Sequence, residues 1–173
     1  ADDSSGNAGA SVAAYAACAG IRADIFVPSY ASPAQQAQIA VYGAHVHCVQ
    51  GPRDNARLAA WDAVANGAVL ASHAYHPAFL LGQQSIAWEV WEQMGREVPD
   101  WLLVPVGQGV HLLGAWLGFR RLRAAGMIGR IPRLVGVQSE LLAPVAAAFE
   151  AGLDYVPTLA PKGTSIAEGL AIA

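Results

Sequence analysis

The chain has 173 residues, enough for one good core or for two small lobes. It is 54% hydrophobic and only 13% charged, with a net charge of −3. About a quarter of residues are charged in a free-standing soluble domain, so the excess apolar surface is expected in a buried parallel sheet, in a subunit interface, or against a part of the protein outside this chain. No basic run is present, which argues against nucleic acid as a partner.

Ser4-Ser5-Gly6-Asn7 leads into an alanine-rich helix over Ala8–Ala19, closed by Gly20. Ala23–Pro28, with Ile25, Phe26 and Val27, reads as a buried strand. Ser32-Pro33 is a capped helix start with proline in the first turn, and that helix runs to Tyr42 and stops at Gly43. His45–Val49 is the next strand. Gly51-Pro52 turns the chain into a helix over Arg53–Asn66, closed by Gly67, and Ala68–Ser72 reads as a strand. After His76-Pro77 the pattern predicts one long helix, Ala78–Met94, ended by Gly95. Trp101–Val106 is an apolar strand, Gly107-Gln108-Gly109-Val110-His111 a glycine loop, and the following helix reaches about Ala125 before Gly126. Arg133–Gln138 reads as a strand and Ala143–Ala151 as a helix closed by Gly152. From Leu153 onward Pro157 and Pro161 point to loop.

Helix, glycine, short apolar strand is the recurring unit. Continuously apolar strands alternating with helices predict an α/β fold with parallel sheets and helices on both faces. The long Ala78–Met94 helix would separate two lobes meeting at a cleft, residues 1–76 and 77–173. Both ends read as cut, the smaller lobe being incomplete at its N-terminus and the larger at its C-terminus. Trp101–Phe119 holds no charge, but Pro105, four glycines, Gln108 and His111 argue for a strand and a helix rather than a membrane span. No signal peptide is legible. Cys18 and Cys48 sit in apolar surroundings without metal spacing, and read as reduced core residues of a cytoplasmic protein.

Strand, glycine loop, helix is how α/β proteins build a phosphate cradle: glycines let the backbone approach an anion, and the first helical N–H groups have no partner within the helix. A tight turn that binds nothing is the alternative for Gly107–Gly109. Ser4-Ser5-Gly6-Asn7 is either a plain helix cap or a second anion site suited to a carboxylate. His45 and His47 share a strand face, but no third ligand stands near them, so no metal site is expected. His73 and His76 stand at a strand end, where a turn before Pro77 also explains them. His111 either touches a phosphate or caps the turn. Trp61, Trp88, Trp91, Trp101 and Trp116 read as packing residues. Lys162 is the only lysine.

Four stretches together resemble one family: Ser4–Ala16, then Gln38-Ile39 with Tyr42-Gly43-Ala44, then Val104–Gly109, and finally Ile166–Ile172. The chain is similar, in order and nearly throughout, to the threonine synthase-like group of fold type II pyridoxal-phosphate enzymes, relatives of threonine dehydratase and the tryptophan synthase β chain. The resemblance implies a two-lobed fold of that type, with pyridoxal 5'-phosphate as cofactor and an amino acid as small-molecule substrate. It implies that Asn7 contacts the cofactor ring hydroxyl, that Ser4, Ser5 and Gly6 hold the substrate carboxylate, and that Gly107, Gln108, Gly109, Val110 and His111 wrap the phosphate. The family's imine-forming lysine would lie upstream of Ser4, and Lys162 does not match it. The partner of the pyridine nitrogen would lie beyond Ala173. Where relatives often read Gly-Asn-Gly-Thr, Val110 here removes a hydroxyl. The expected function is a fragment of a lyase or synthase acting on a hydroxy- or phosphohydroxy-amino acid, a homodimer at full length. The fragment alone is expected to be inert and to self-associate. The competing readings are a dinucleotide-binding domain, with Glu140 as the ribose-holding acid, and a non-catalytic domain that keeps the fold.

Overall fold

The computed structural model describes residues 1–163, 165–167 and 170. The chain divides into two compact units, Ala1–His76 and Pro77–Ala173. In the first, α1 (Asn7–Ala19), β1 (Asp24–Pro28), α2 (Pro33–Ala40), β2 (His45–Val49) and α3 (Arg53–Ala65) alternate. β1 and β2 pair in parallel, from Asp24 opposite His45 to Pro28 opposite Val49. The period of two puts Ile25 and Val27 on one face of β1. Both are fully buried, in one cluster with Ala10 and Ala13 of α1 and Ile39 of α2. α2 begins as its sequence dictates: the Ser32 hydroxyl accepts the Gln35 N–H at 3.3 Å, and Pro33 fills the first turn.

The second unit contains α4 (Pro77–Gln83), α5 (Ser85–Gln93), β3 (Trp101–Pro105), α6 (Val110–Ala124), β4 (Arg133–Val137) and α7 (Pro144–Glu150). β3 and β4 again pair in parallel, from Trp101 opposite Arg133 to Pro105 opposite Val137. The two sheets share a device. β1 and β3 each end on a proline, which cannot donate to a ladder. The following residue restores the pairing: Ser29 N–H to Val49 O, and Val106 N–H to Val137 O, both at 2.8 Å. The core holds Ala87, Trp91, Phe119, Leu122 and Ile128. The α/β architecture with parallel strands is therefore the one its sequence predicts.

Several expectations need correction. The long helix is broken at Gln84, between α4 and α5. The break faces a close crossing: a Cβ on Gly118 of α6 would lie 2.4 Å from the Gln84 carbonyl oxygen, and one on Gly114 would lie 2.6 Å from the Gln83 Cβ. The glycines bring α6 against the backbone of Gln83 and Gln84, a packing demand that no helix period in Ala78–Met94 could reveal. Ala68–Ser72 forms no strand. It meets a distant segment at Ala1, whose carbonyl accepts the Ala71 N–H at 2.8 Å and whose nitrogen donates to Val69 O at 2.7 Å, while the Ala68 N–H turns back to Ala63 O and Ser72 O accepts the His76 N–H; one paired residue makes no ladder. α2 ends at Ala40, and the chain turns through Val41 to Gly43.

Cys18 and Cys48 are exposed thiols, not core residues. In α1 the buried positions are Gly9, Ala10 and Ala13, and at about 100° per residue Cys18 falls well outside that stripe. Of the tryptophans only Trp91 is buried, while Trp61, Trp88, Trp101 and Trp116 are exposed. Trp101 and Trp116 lie under the guanidinium groups of Arg133 and Arg120, at 4.9 and 4.6 Å. The apolar excess thus stands largely on the surface, with Phe149 88%, Val69 77% and Leu103 65% exposed. Trp101–Phe119 is shared between β3 and α6, and among the described residues no helix is long and apolar enough to cross a membrane.

Candidate active-site loops

Each unit carries one loop of interest. In the second unit it follows β3. β3 ends at Pro105, Val106 is buried, and Gly107 to Gly109 lead directly into α6. Gly109 is the residue capping the helix and sits at φ 87°, in the left-handed region that a β-branched residue avoids. It has no side chain to offer, so the cap hydrogen bond is missing, and no acidic residue stands in the first turn. The first N–H bonded within the helix is that of Leu113, to Gly109 O at 2.9 Å. Those of Val110, His111 and Leu112 come before it and have no partner within the helix. A Cβ at Gly109 would meet nothing within 4 Å, so the space beside the loop is open. Arg121 and Arg123 stand at the far end, where they complement the helix dipole. Gln108 and His111 are exposed, while Gly107, Gly109 and Val110 are half-buried. Three donors, a positive helix end and no filling side chain fit a phosphate monoester.

In the first unit the loop is Ser4-Ser5-Gly6-Asn7. Asn7 is not the cap: it is the first residue of α1, exposed, and Gly6 takes the cap position without a side-chain bond. The Ala10 N–H is the first to bond within the helix, to Gly6 O at 3.2 Å, which leaves the N–H groups of Asn7, Ala8 and Gly9 ahead of it. Ser4 is buried, and its hydroxyl accepts the Gly6 N–H at 3.3 Å. Ser5 is half-buried. Gly9 makes this packing possible. A Cβ there would lie 2.0 Å from the Ser4 carbonyl oxygen, so α1 approaches the loop backbone as closely as glycine allows.

Of the β2 histidines, His47 is engaged by a carboxylate. The His47 Nε2 lies 2.8 Å from Asp24 Oδ1, and its ring stacks on Phe26 at 4.6 Å. Arg22 holds the same carboxylate through two bonds of 2.8 and 2.9 Å. That guanidinium, helped by His47, brings the Asp24 pKa down to about 2 against the cost of burial. Among the described residues one group could offer three ligand atoms within 4.8 Å of one another: Asp2, Asp3 and His73. Sequence reasoning singled out His73 alone, because about seventy residues separate it from the two aspartates. The adjacent signal was the Asp-Asp pair directly before Ser4. Lys162 is exposed, with its backbone N–H on Leu141 O at 2.8 Å. Glu140 is exposed just after β4. Of the stretch Ile166–Ile172, residues Glu168, Gly169, Ala171 and Ile172 lie outside the described residues.

Known proteins match this chain along most of its length. The threonine synthase of Methanocaldococcus jannaschii is 31% identical over 161 residues, 92% of this chain and 40% of that protein. The threonine synthase of Synechocystis sp. is 34% identical over 142 residues, covering 82% and 37%. The chain thus spans about two-fifths of the length of these curated relatives. Among solved structures, maize serine racemase superposes with a TM-score of 0.83 at 26% identity, covering 99% of this chain and 49% of that one. A threonine deaminase from T.th. gives 0.80 at 26%, covering 98% and 53%. These are fold type II pyridoxal-phosphate enzymes, and the fold seen here is theirs. The family described as pyridoxal-phosphate dependent enzyme matches from residue 1 to residue 173, and the chain belongs to it.

Proposed function

We propose that this chain is part of a longer pyridoxal-phosphate-dependent lyase or synthase acting on a hydroxy- or phosphohydroxy-amino acid, and that it supplies the cofactor-phosphate loop and the substrate-carboxylate loop. The observation that carries the reading is the open start of α6 behind Gly107–Gly109, in a chain matched by this family over its whole length. The names of the similar proteins add the substrate class: threonine synthase, threonine deaminase and serine racemase all concern a hydroxy-amino acid.

In this reading the N–H groups of Val110, His111 and Leu112, with Gly107, Gln108 and Gly109, bind and orient the phosphate. Val110 brings no hydroxyl, so the contacts here are backbone ones. Asn7, exposed on the first turn of α1, orients the cofactor through its ring hydroxyl. Ser4, Ser5 and Gly6 take the substrate carboxylate on N–H and hydroxyl donors, which fixes the α-carbon in place. The cofactor, when bound, supplies an electron sink for negative charge developing at that carbon. The proton there needs an amine base, for which the resemblance implies a lysine upstream of Ser4 that Lys162 does not match. The chain alone is therefore expected to bind weakly and to be catalytically inert. The free thiols support a reducing, cytoplasmic setting. The exposed apolar residues support a covered interface, which we assign to a homodimer of the full-length protein.

Titration of the full-length protein with pyridoxal phosphate and, separately, with NAD tests this. Saturable binding of pyridoxal phosphate is expected, with none of NAD. Tight NAD binding without pyridoxal phosphate binding would replace this reading with the dinucleotide one.

A further inference from the structure

The Ser4–Gly6 loop rests on a buried ionic group that the function above does not use. Asp2 is fully buried. Its backbone lies against β1, with its N–H on Asp24 O at 3.1 Å and its carbonyl accepting the Phe26 N–H at 2.9 Å. Its side chain therefore has a fixed origin. One carboxylate oxygen accepts the Ser4 N–H at 3.3 Å. The other lies 3.8 Å from His73 Nδ1, too long for a hydrogen bond and short enough for charge pairing. A buried carboxylate with a single backbone donor is poorly compensated, and a cation beside it offsets much of that cost.

We propose that Asp2 and His73 are positioning residues for the Ser4–Gly6 loop, with the protonated imidazole holding the carboxylate that holds the Ser4 N–H. The significance for substrate binding rests on the carboxylate role given to that loop above. The surrounding charges extend this pair into an ionic cluster. Arg53 of α3 lies on the other aspartate, with its guanidinium 3.7 Å from the Asp3 carboxylate and donating to Asp3 O at 3.1 Å. Two carboxylates facing Arg53 and a protonated His73 are balanced in charge. Arg57 of α3 also acts on this cluster, through Asp3.

The Asp2 carboxylate raises the His73 pKa above the ordinary histidine value; burial and Arg53 oppose it and Asp3 assists it. A raised folded-state value fixes the sign. The pairing contributes fully below the unfolded histidine pKa, and it is lost as pH rises through the higher folded value. The loop is accordingly held at mildly acid pH and released toward alkaline pH.

The test is an NMR titration of the 15N-labelled full chain between about pH 5 and 9, reading the Ser4 amide and the His73 ring together. Both are expected to titrate with one midpoint above the ordinary histidine value, and the Ser4 amide is expected to lose that transition in His73→Gln. In Asp2→Asn the His73 midpoint should fall. A Ser4 amide that stays fixed across the range, or titrates unchanged in His73→Gln, overturns the proposal; so does an unchanged His73 midpoint in a folded Asp2→Asn. L-serine added at each pH separates this from the function proposed for the loop. Its affinity should fall about three- to tenfold above the midpoint, as for the loss of one modest polar interaction. If the Ser4 amide still follows His73 while L-serine never moves the Ser4–Gly6 amides, the carboxylate reading fails and the positioning role stands.

Discussion

Gly9→Ala is expected to destabilise the Ala1–His76 unit by about 2 kcal/mol. Two effects of opposite sign compete. Alanine in the interior of a helix is favoured over glycine by about 1 kcal/mol. Against that, the new Cβ would stand 2.0 Å from the Ser4 carbonyl oxygen and 3.2 Å from Ile25 Cγ2. Ser4 is buried and its oxygen is backbone, so no flexible side chain can swing away. Overpacking of this kind costs about 3 kcal/mol, and it wins. The strain falls on the loop assigned to the substrate carboxylate, so L-serine binding should weaken in the same variant. Gly82→Ala in α4 is the control: its Cβ would meet nothing within 4 Å, and it should be neutral or slightly stabilising. Urea denaturation of the two variants measures both. Equal stabilities would show that α1 does not approach the Ser4 backbone so closely.

Gly109→Val is expected to weaken pyridoxal phosphate binding to the full-length protein about 10- to 100-fold. At φ 87° a β-branched residue costs about 1–3 kcal/mol. A Cβ there would meet nothing within 4 Å, so the cost at the Cβ is the conformational one at positive φ, and the loop relieves it by leaving the left-handed region. That movement turns the N–H groups of the first turn of α6 away from the phosphate. Each 1.4 kcal/mol is a factor of about ten in affinity. Gly126→Val provides the comparison. Gly126 has φ 72°, also has nothing within 4 Å, and lies past the opposite end of α6. It carries the same strain, and its substitution should lower stability while leaving affinity unchanged. Spectroscopic titration distinguishes the two; equal losses of affinity would mean that Gly109 matters only for folding.

Much of the fold was legible because its punctuation is local. The glycines read as helix ends stand at positive φ, from 64° at Gly20 and Gly152 to 100° at Gly67, and the apolar runs between them became parallel strands. Misreadings arose where the deciding partner was distant in sequence. The break at Gln84 answers to Gly114 and Gly118 on α6. Ala68–Ser72 has strand composition, but the distant residue it bonds to is Ala1, and its remaining bonds are local ones to Ala63 and His76. The outward position of Cys18 is hidden because alanine fills both faces of α1, so no size contrast marks the buried stripe. The site shows the same division. Ser4–Asn7 and Gly107–His111 are contiguous and could be quoted from the sequence, and the structure places each at the start of a helix. Asp2 and His73 gain their meaning from a contact across most of the first unit.

The central claim is that the start of α6 holds the cofactor phosphate. The most direct test adds pyridoxal phosphate to the 15N-labelled full chain and maps the amides that move. The account predicts shifts concentrated at Gly107, Gly109, Val110, His111 and Leu112, reversed by excess inorganic phosphate and needing about 10- to 100-fold more cofactor in Gly109→Val. Shifts confined to the surroundings of Lys162, or an α6 start that responds to NAD and not to pyridoxal phosphate, would contradict it.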